Sequence, residues 1–461
     1  MVLVALAMVA IIAMAALSID VVTLYLAKEE AQRSADAGAL AAARVISISG
    51  VTGTAGPDND AVSWSKICGG DTSLASLTAK AAAQENSVAG ISPTVSVTYS
   101  SGSGSGVADC TAVVGDDQLG VNPLVTVQVT RISLPTFFSR IWSRAANTVS
   151  ATATAEVFNP SHSGAFAPGG TIIPVQPRCV KPWVVPNRDP LNPNLNCDQG
   201  RGQCNTLVST ADGSITHPGI SVNGNNSGVI GERFWLVPDC SYSGSSCGLR
   251  DNPALANHVR TTHIDVGMPN LEYLPGLVGT AVNAVPSCAG ASTYAQAIAG
   301  CDSSTNYQCG VASQNTIDLG ENPAFSGDSL NGGKCLIQEG DPTDRQPDGQ
   351  DTMVLSSYPF QILAGSSNPL GSLAGRPGKP ISSSNSIVSL PIFDRQTLAN
   401  AGTTNSVTFV GFLQVFINSI DQYGNIDVTI LNVAGCGNGS STPGSPVTGS
   451  SPVPIRLITP P

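Results

Sequence analysis

Charge is scarce in this sequence. Asp, Glu, Lys and Arg together make up 11% of its 461 residues, against roughly 25% in ordinary soluble domains. Cations are the scarcer sign, 21 against 32 acidic residues, for a formal net charge of −11. No basic cluster gathers these few cations, so a nucleic-acid surface, which needs a local excess of Lys and Arg over phosphate, is excluded as a main function. Histidine is rarer still: His162, His217, His258 and His263 are the whole set. The last two are five apart, on different faces of any helix, and no H-E-x-x-H pattern occurs. There is no P-loop, no Gly-rich dinucleotide turn opening a helix, and no serine nucleophile elbow between a strand and a helix. No Cys-x-x-Cys pair exists, which argues against zinc and iron–sulfur ligation. These absences leave no catalytic constellation. The chain is expected to be non-enzymatic, with no cofactor and no small-molecule substrate.

What is present is Gly (48), Pro (32), a hydrophobic fraction of 41% and long stretches of Ser, Thr and Asn. Such a surface is wetted by hydroxyls and amides rather than charges, and the composition predicts many turns and short strands. The length allows two or three domains. There are 12 cysteines, ten of them between Cys179 and Cys436. Cys197 and Cys204 share a six-residue spacer with Cys240 and Cys247, a loop size suited to disulfides. Disulfides persist in oxidising compartments, so the cysteine-bearing body is expected outside the cytoplasm.

The longest apolar run opens the chain. Residues 1–19 read MVLVALAMVAIIAMAALSI, with Ser18 the one polar side chain. As a helix it rises ~28 Å, close to the ~30 Å hydrocarbon core of a bilayer. Ala13-Met14-Ala15 resembles a signal-peptidase site. However, Asp20–Arg44 continues in good helix formers with no Pro and a single Gly, so the helix should run to about residue 46. A retained transmembrane anchor is therefore the expectation. The positive-inside rule fits poorly, because Lys28 and Arg33 follow the apolar run. The cysteines outweigh it, and a basic segment upstream of Met1 is the expected resolution.

Beyond the anchor the periodicities predict a compact α+β module. Leu74–Ser87 reads as a helix stopped by Gly90 and Pro93. Thr94–Tyr99, Leu124–Thr130 and Thr148–Phe158 alternate as strands, the last with Val149, Ala151, Ala153, Ala155 and Val157 on one face. A helix on a small antiparallel sheet is the natural product. Cys68 and Cys110 are the only cysteines in this stretch and should pair. Small residues along the first helix, Ala35, Ala37, Gly38, Ala39, Ala41, Ala42 and Ala43, permit close backbone approach. They suit either a neighbouring helix in an assembly or the helix's own sheet. Asp36 on this face reads either as a solvated residue or as a contact for a neighbouring helix.

Two stretches carry a family likeness. The first is the apolar run ending in Ser18-Ile19-Asp20, followed by Leu24-Tyr25 and by Gln32-x-x-Ala35-Asp36-Ala37-x-Ala39-Leu40-Ala41-Ala42-Ala43. The second is Val125–Arg131, then Pro135-Thr136-Phe137-Phe138-Ser139-Arg140-Ile141, then Val149–Ala155. Together they resemble the N-terminal domain of TadG-like proteins of the Tad (Flp-type) pilus-assembly and secretion system, over residues 1 to about 158. The resemblance implies a single-pass protein of the bacterial inner membrane with most of its chain in the periplasm or beyond. Its implied partners are other pilus-assembly or pseudopilin subunits. Many such proteins carry a metal-dependent adhesion site. The nearest counterpart, Asp212-Gly213-Ser214-Ile215-Thr216, runs into His217-Pro218-Gly219, a turn where a helix should start.

The predicted organisation is an anchor and continuing helix over 1–46, an α+β module over 47–158, a Pro/Gly-rich linker over 159–178, a β-rich disulfide-bonded region over 179–436, and a Ser/Pro/Gly-rich tail over 437–461. In the β-rich region, Gly228–Val237, Thr352–Leu355, Ser386–Ile392, Ser406–Ile417 and Ile426–Val433 read as strands. Leu274–Val285 reads as a short helix, and Asp421-Gln422-Tyr423-Gly424 as a hairpin turn. Ile455–Ile458 in the tail reads as an edge strand. Asp341, Asp344, Asp348 and Asp351 crowd one turn-rich loop. They are either a solvated acidic loop or calcium ligands, although the spacing is not that of an EF-hand. A surface adhesin or ligand-binding ectodomain is the alternative to an assembly role.

Overall fold

The computed structural model describes residues 2–50, 61–100, 106–112, 122–134, 147–159, 175–191, 205–211, 213–217, 219–221, 228–238, 268–283, 285, 291–305, 307, 316–318, 325–339, 349–356, 358–368, 377–381, 383–394, 406–436, 447–449 and 451–458. The chain divides into two units. One holds residues 1–46, 64–157 and 455–461, the other 47–63 and 158–454. The fold is mixed α+β, a long apolar N-terminal helix followed by β-rich sheets, as the composition and periodicity predict.

In the first unit, α1 (Val2–Ile48) is one uninterrupted helix. Helices α2 (Ala61–Cys68) and α3 (Leu74–Glu85) follow, then strands β1 (Thr94–Ser100), β2 (Leu124–Leu134) and β3 (Asn147–Val157). The strands pair antiparallel in the order β1-β2-β3, and a C-terminal strand, Ile455–Ile458, adds beside β3. The alternation read from the sequence sets the inner face: Val149, Ala151, Ala153, Ala155 and Val157 are all buried. Cys68 and Cys110 form a disulfide, and both are wholly buried.

A free edge on β3 would be a template for unwanted pairing. Two devices cover it. Side chains of α1 reach it first, Lys28 Nζ donating to Ser150 O and Gln32 Nε2 to Thr152 O. The C-terminal strand then takes residues 154–157, with Arg456 Nε on Glu156 Oε2 at 2.6 Å.

The second unit is built on a closed ring of strands: β4 (Trp183–Pro186), β5 (Arg233–Pro238), β6 (Asn270–Pro275), β7 (Ile387–Phe393), β8 (Ser406–Ile420) and β9 (Ile426–Gly435). The ring runs β8-β7-β4-β6-β5-β9 and returns to β8. The β4–β7 and β5–β6 pairs are parallel, the other four antiparallel. Closure leaves no sheet edge within the ring. Strand β9 is buried at every residue, polar ones included, so both of its faces are covered. Its polar groups are therefore paired: Arg233 forks onto Asp427, and Asn418 Nδ2 donates to Asp427 Oδ1 and Thr429 Oγ1 at 3.1 and 3.0 Å. The predicted turn joins β8 to β9. Asp421 Oδ1 accepts the Tyr423 and Asn425 N–H groups, and Gly424 supplies a φ of 78°.

The helix predicted over Leu274–Val285 does not form. Its start is the end of β6, and Val282–Asn283 pairs with Cys301–Asp302. The Leu/Val/Ala composition suggested a helix, but Pro275-Gly276 interrupts it, and β4 and β5 on either side supply β6 with ladder partners. Helix α4 (Thr293–Ala299) is capped by Ser292, whose Oγ accepts Ala295 N–H at 3.1 Å. Helix α5 (Phe325–Ile337) carries Gly332-Gly333, residues that weaken a helix in isolation. Close packing requires those glycines. A Cβ on Gly332 would lie 2.5 Å from Ala295 O, and one on Gly333 would lie 2.0 Å from Ile420 Cδ1.

Candidate functional site

The two ends of α1 meet different surroundings. Over its first half many of the described large side chains are exposed: Leu3 is 81% exposed, Ile12 63%, and Met8, Val9, Met14, Val21 and Val22 are exposed as well, whereas Ala16 and Asp20 are buried. Among the described residues, one helix is long and apolar enough to cross a membrane, Ala7–Ile48. A helix this apolar and this little covered by protein has the character of a membrane span. From Ala27 the pattern changes to a single buried stripe, Ala27, Ala31, Ala35, Ala39, Ala42, Ala43 and Ile46. The same helix thus has first the length and hydropathy of a single-pass anchor, and then forms the core element of the first unit.

The small residues determine how closely α1 approaches its neighbours. At Gly38 an added Cβ would lie 3.1 Å from Ala79 O, 3.2 Å from Ala83 Cβ and 3.2 Å from Val127 Cγ1. The α1 backbone thus lies against both α3 and β2. Ser34 Oγ donates to Ala83 O at 2.7 Å in this buried seam, and Ala89 N–H donates to Glu30 Oε2 at 2.6 Å beside it. Ala35, Ala39 and Ala42 are fully buried within the unit. Asp36 is half-buried, and its Oδ1 accepts Gln32 Nε2 at 2.9 Å. It orients the side chain that caps β3. Elsewhere on the same buried face of α3, Ser76 Oγ and the Tyr99 hydroxyl share a 2.7 Å hydrogen bond, and burial pushes the Tyr99 pKa up.

Gly38→Val should drive two methyls into Ala79, Ala83 and Val127. A loss of about 1–3 kcal/mol from overpacking is expected, read as faster amide exchange in α3. Unchanged exchange would mean that the seam is looser than these distances state.

Other sequence candidates lie elsewhere. Asp341, Asp344 and Asp348 fall outside the described residues, as do Cys197, Cys204, Cys240, Cys247, His162, His258, His263 and the 135–142 segment. Asp351 is buried and accepts Gly365 N–H, Asn368 Nδ2 and Ser384 Oγ, so its carboxylate ties three segments together. Among the described residues no group of three or more His, Cys, Asp and Glu could hold a metal ion. Asp212, the first residue of the adhesion-site counterpart, lies outside the described residues; around it Val208 bridges Ile215, Ser209 N–H donates to Ser214 O, and Gly213 has a φ of 75°.

One cluster escaped the sequence reading. Asp189, wholly buried, lies 3.4 Å from His217 Nδ1, and Glu232, 2% exposed, is near enough to feel the Asp189 charge. Burial, with that charge added, raises the Glu232 pKa to about 9. Lys181 is a second buried ionisable group, its pKa lowered to about 8 by burial while Nζ donates to Gly300 O. No local pattern marks either, because their neighbours come from distant segments.

The fold and helix define a class: a chain whose apolar N-terminal helix, long enough to cross a membrane, continues into a disulfide-bonded helix-on-sheet unit. Residues 1–45 are similar to the Flp pilus-assembly TadE/G-like segment of the Tad family, whose family model matches them. The match covers most of α1 and stops before α2; the 125–155 stretch lies beyond it. Neither a curated protein nor a solved structure matches the chain.

Proposed function

We propose that this chain is a non-enzymatic component of a Tad/Flp-type pilus-assembly or secretion system in the bacterial envelope. It is anchored in the inner membrane by the first part of α1, holds its two units in the periplasm or beyond, and contacts other pilus-assembly or pseudopilin subunits. The observation that carries the reading is the continuity of α1, whose exposed apolar portion runs without a break into the buried stripe of a disulfide-bonded unit. Such a helix transmits position from the bilayer to the body it carries, which an assembly subunit needs and an enzyme does not. The Tad-family match to residues 1–45 and the disulfides Cys68–Cys110 and Cys179–Cys301 support the same reading.

The test is membrane fractionation and crosslinking in a bacterium that assembles such pili. The chain should sediment with the inner membrane, resist carbonate extraction, and show protease sensitivity from the periplasmic side. A photo-crosslinker at exposed Leu77 on α3 should capture another subunit of the system. A soluble cytosolic chain with reactive thiols would sink the proposal. An ectodomain that binds a surface ligand and captures no assembly subunit would replace it with an adhesin.

A further inference from the structure

Two disulfides, Cys68–Cys110 in the first unit and Cys179–Cys301 in the second, differ in their surroundings. Cys68 and Cys110 are wholly buried, with Cys110 Sγ against Trp64 O. Cys179 and Cys301, in the second unit, are only half-buried. Cys179 also holds a φ of 59°, a left-handed conformation that residues other than Gly, Asn and Asp seldom adopt.

A second link joins the same two segments. Lys181, two residues after Cys179, is buried and donates from Nζ to the carbonyl of Gly300, the residue before Cys301, at 2.7 Å. Its backbone N–H is fixed on Ser389 O at 2.9 Å, and the Gly300 N–H on Gln296 O at 2.8 Å. Each end of this tether is thus anchored independently of the sulfurs. With the disulfide open, Lys181 still holds the two cysteines as sequence neighbours of a fixed contact, which favours re-forming the bond.

We propose that Cys179–Cys301 is a reversible dithiol–disulfide device, opened by an external dithiol reductant while the second unit stays folded. One thiolate of the reductant attacks a cysteine sulfur and forms a mixed disulfide, and the other cysteine leaves as a thiolate. The reductant's second thiol then resolves the mixed disulfide. The reductant ends as a disulfide, having given two electrons and two protons to Cys179 and Cys301. The inference is independent of the pilus-system reading, since it needs only an oxidising compartment that contains dithiols.

The test uses the full-length chain in detergent, equilibrated across ratios of reduced to oxidised dithiothreitol. Free thiols are trapped by alkylation and identified by peptide mass spectrometry. Cys179 and Cys301 should become labelled at a ratio at least tenfold lower than Cys68 and Cys110, with near-UV circular dichroism retained. Removing reductant should restore the bond, several-fold more slowly in Lys181→Met. Opening together with or after Cys68–Cys110, or opening that abolishes the near-UV signal, would overturn the proposal. Unchanged re-formation in Lys181→Met would overturn the role of the tether.

Discussion

Glu232→Gln should flatten the pH dependence of stability in the second unit. Glu232 is 2% exposed, and burial together with the Asp189 charge raises its pKa to about 9. In the unfolded chain the same carboxyl titrates near its ordinary value of 4.5. Between those two values the folded form holds a proton that the unfolded form has lost. Stability therefore falls as pH rises from about 4.5 towards 9, at a limiting slope of roughly 1 kcal/mol per pH unit. Below that window both forms are protonated and the group contributes no slope. Glutamine keeps the shape and cannot ionise, so the variant should lack this part of the slope and gain most over the wild type at the alkaline end. Urea unfolding across the window, followed by Trp183 and Trp235 fluorescence, reads the difference. Parallel stability curves for wild type and variant would show that Glu232 ionises freely in the fold.

The second large effect is expected in the first unit. Replacing both Cys68 and Cys110 by alanine removes a crosslink between residues 42 apart, for which the chain-entropy relation gives about 4 kcal/mol. The crosslinked loop carries α3 and β1, two of the elements that form the core of the first unit, so much of its stability should be lost. Hydrogen exchange should show β1 and α3 opening far more readily, while β8 and β9 keep their protection. The double substitution also avoids leaving one buried thiol beside Trp64, which a single variant would do. Protection of β1 equal to the wild type would mean that the packing of α1 on the sheet suffices.

Several elements were legible because their information is local. α1 announces itself by length, by an apolar run without interruption and by the absence of proline. β1, β2 and β3 follow from strict alternation, and the β8–β9 turn from Asp421 and Gly424. Cys68–Cys110 was legible by elimination within a short module. The helix over 274–285 was misread because a Leu/Val/Ala composition does not distinguish helix from strand when the decisive partners, β4 and β5, lie far away in sequence. α5 was missed for the converse reason: Gly332 and Gly333 weaken a helix in isolation, yet their lack of side chains lets α5 approach α4 and Ile420.

At the candidate site the same division holds. Sequence alone determined that α1 is apolar enough for a bilayer and that a stripe of small residues follows, because both are properties of one continuous segment. Tertiary structure alone decided what covers that stripe, namely Ala79, Ala83 and Val127, and that the C-terminal strand returns to pair with β3. It likewise decided that Cys179 pairs with Cys301, that Asp189 charges the surroundings of Glu232, and that six strands close into a ring. Periodicity states which face of an element is buried. Which partner buries it depends on contacts between residues tens to hundreds of positions apart, and those are set by the packing of the whole unit rather than by local sequence.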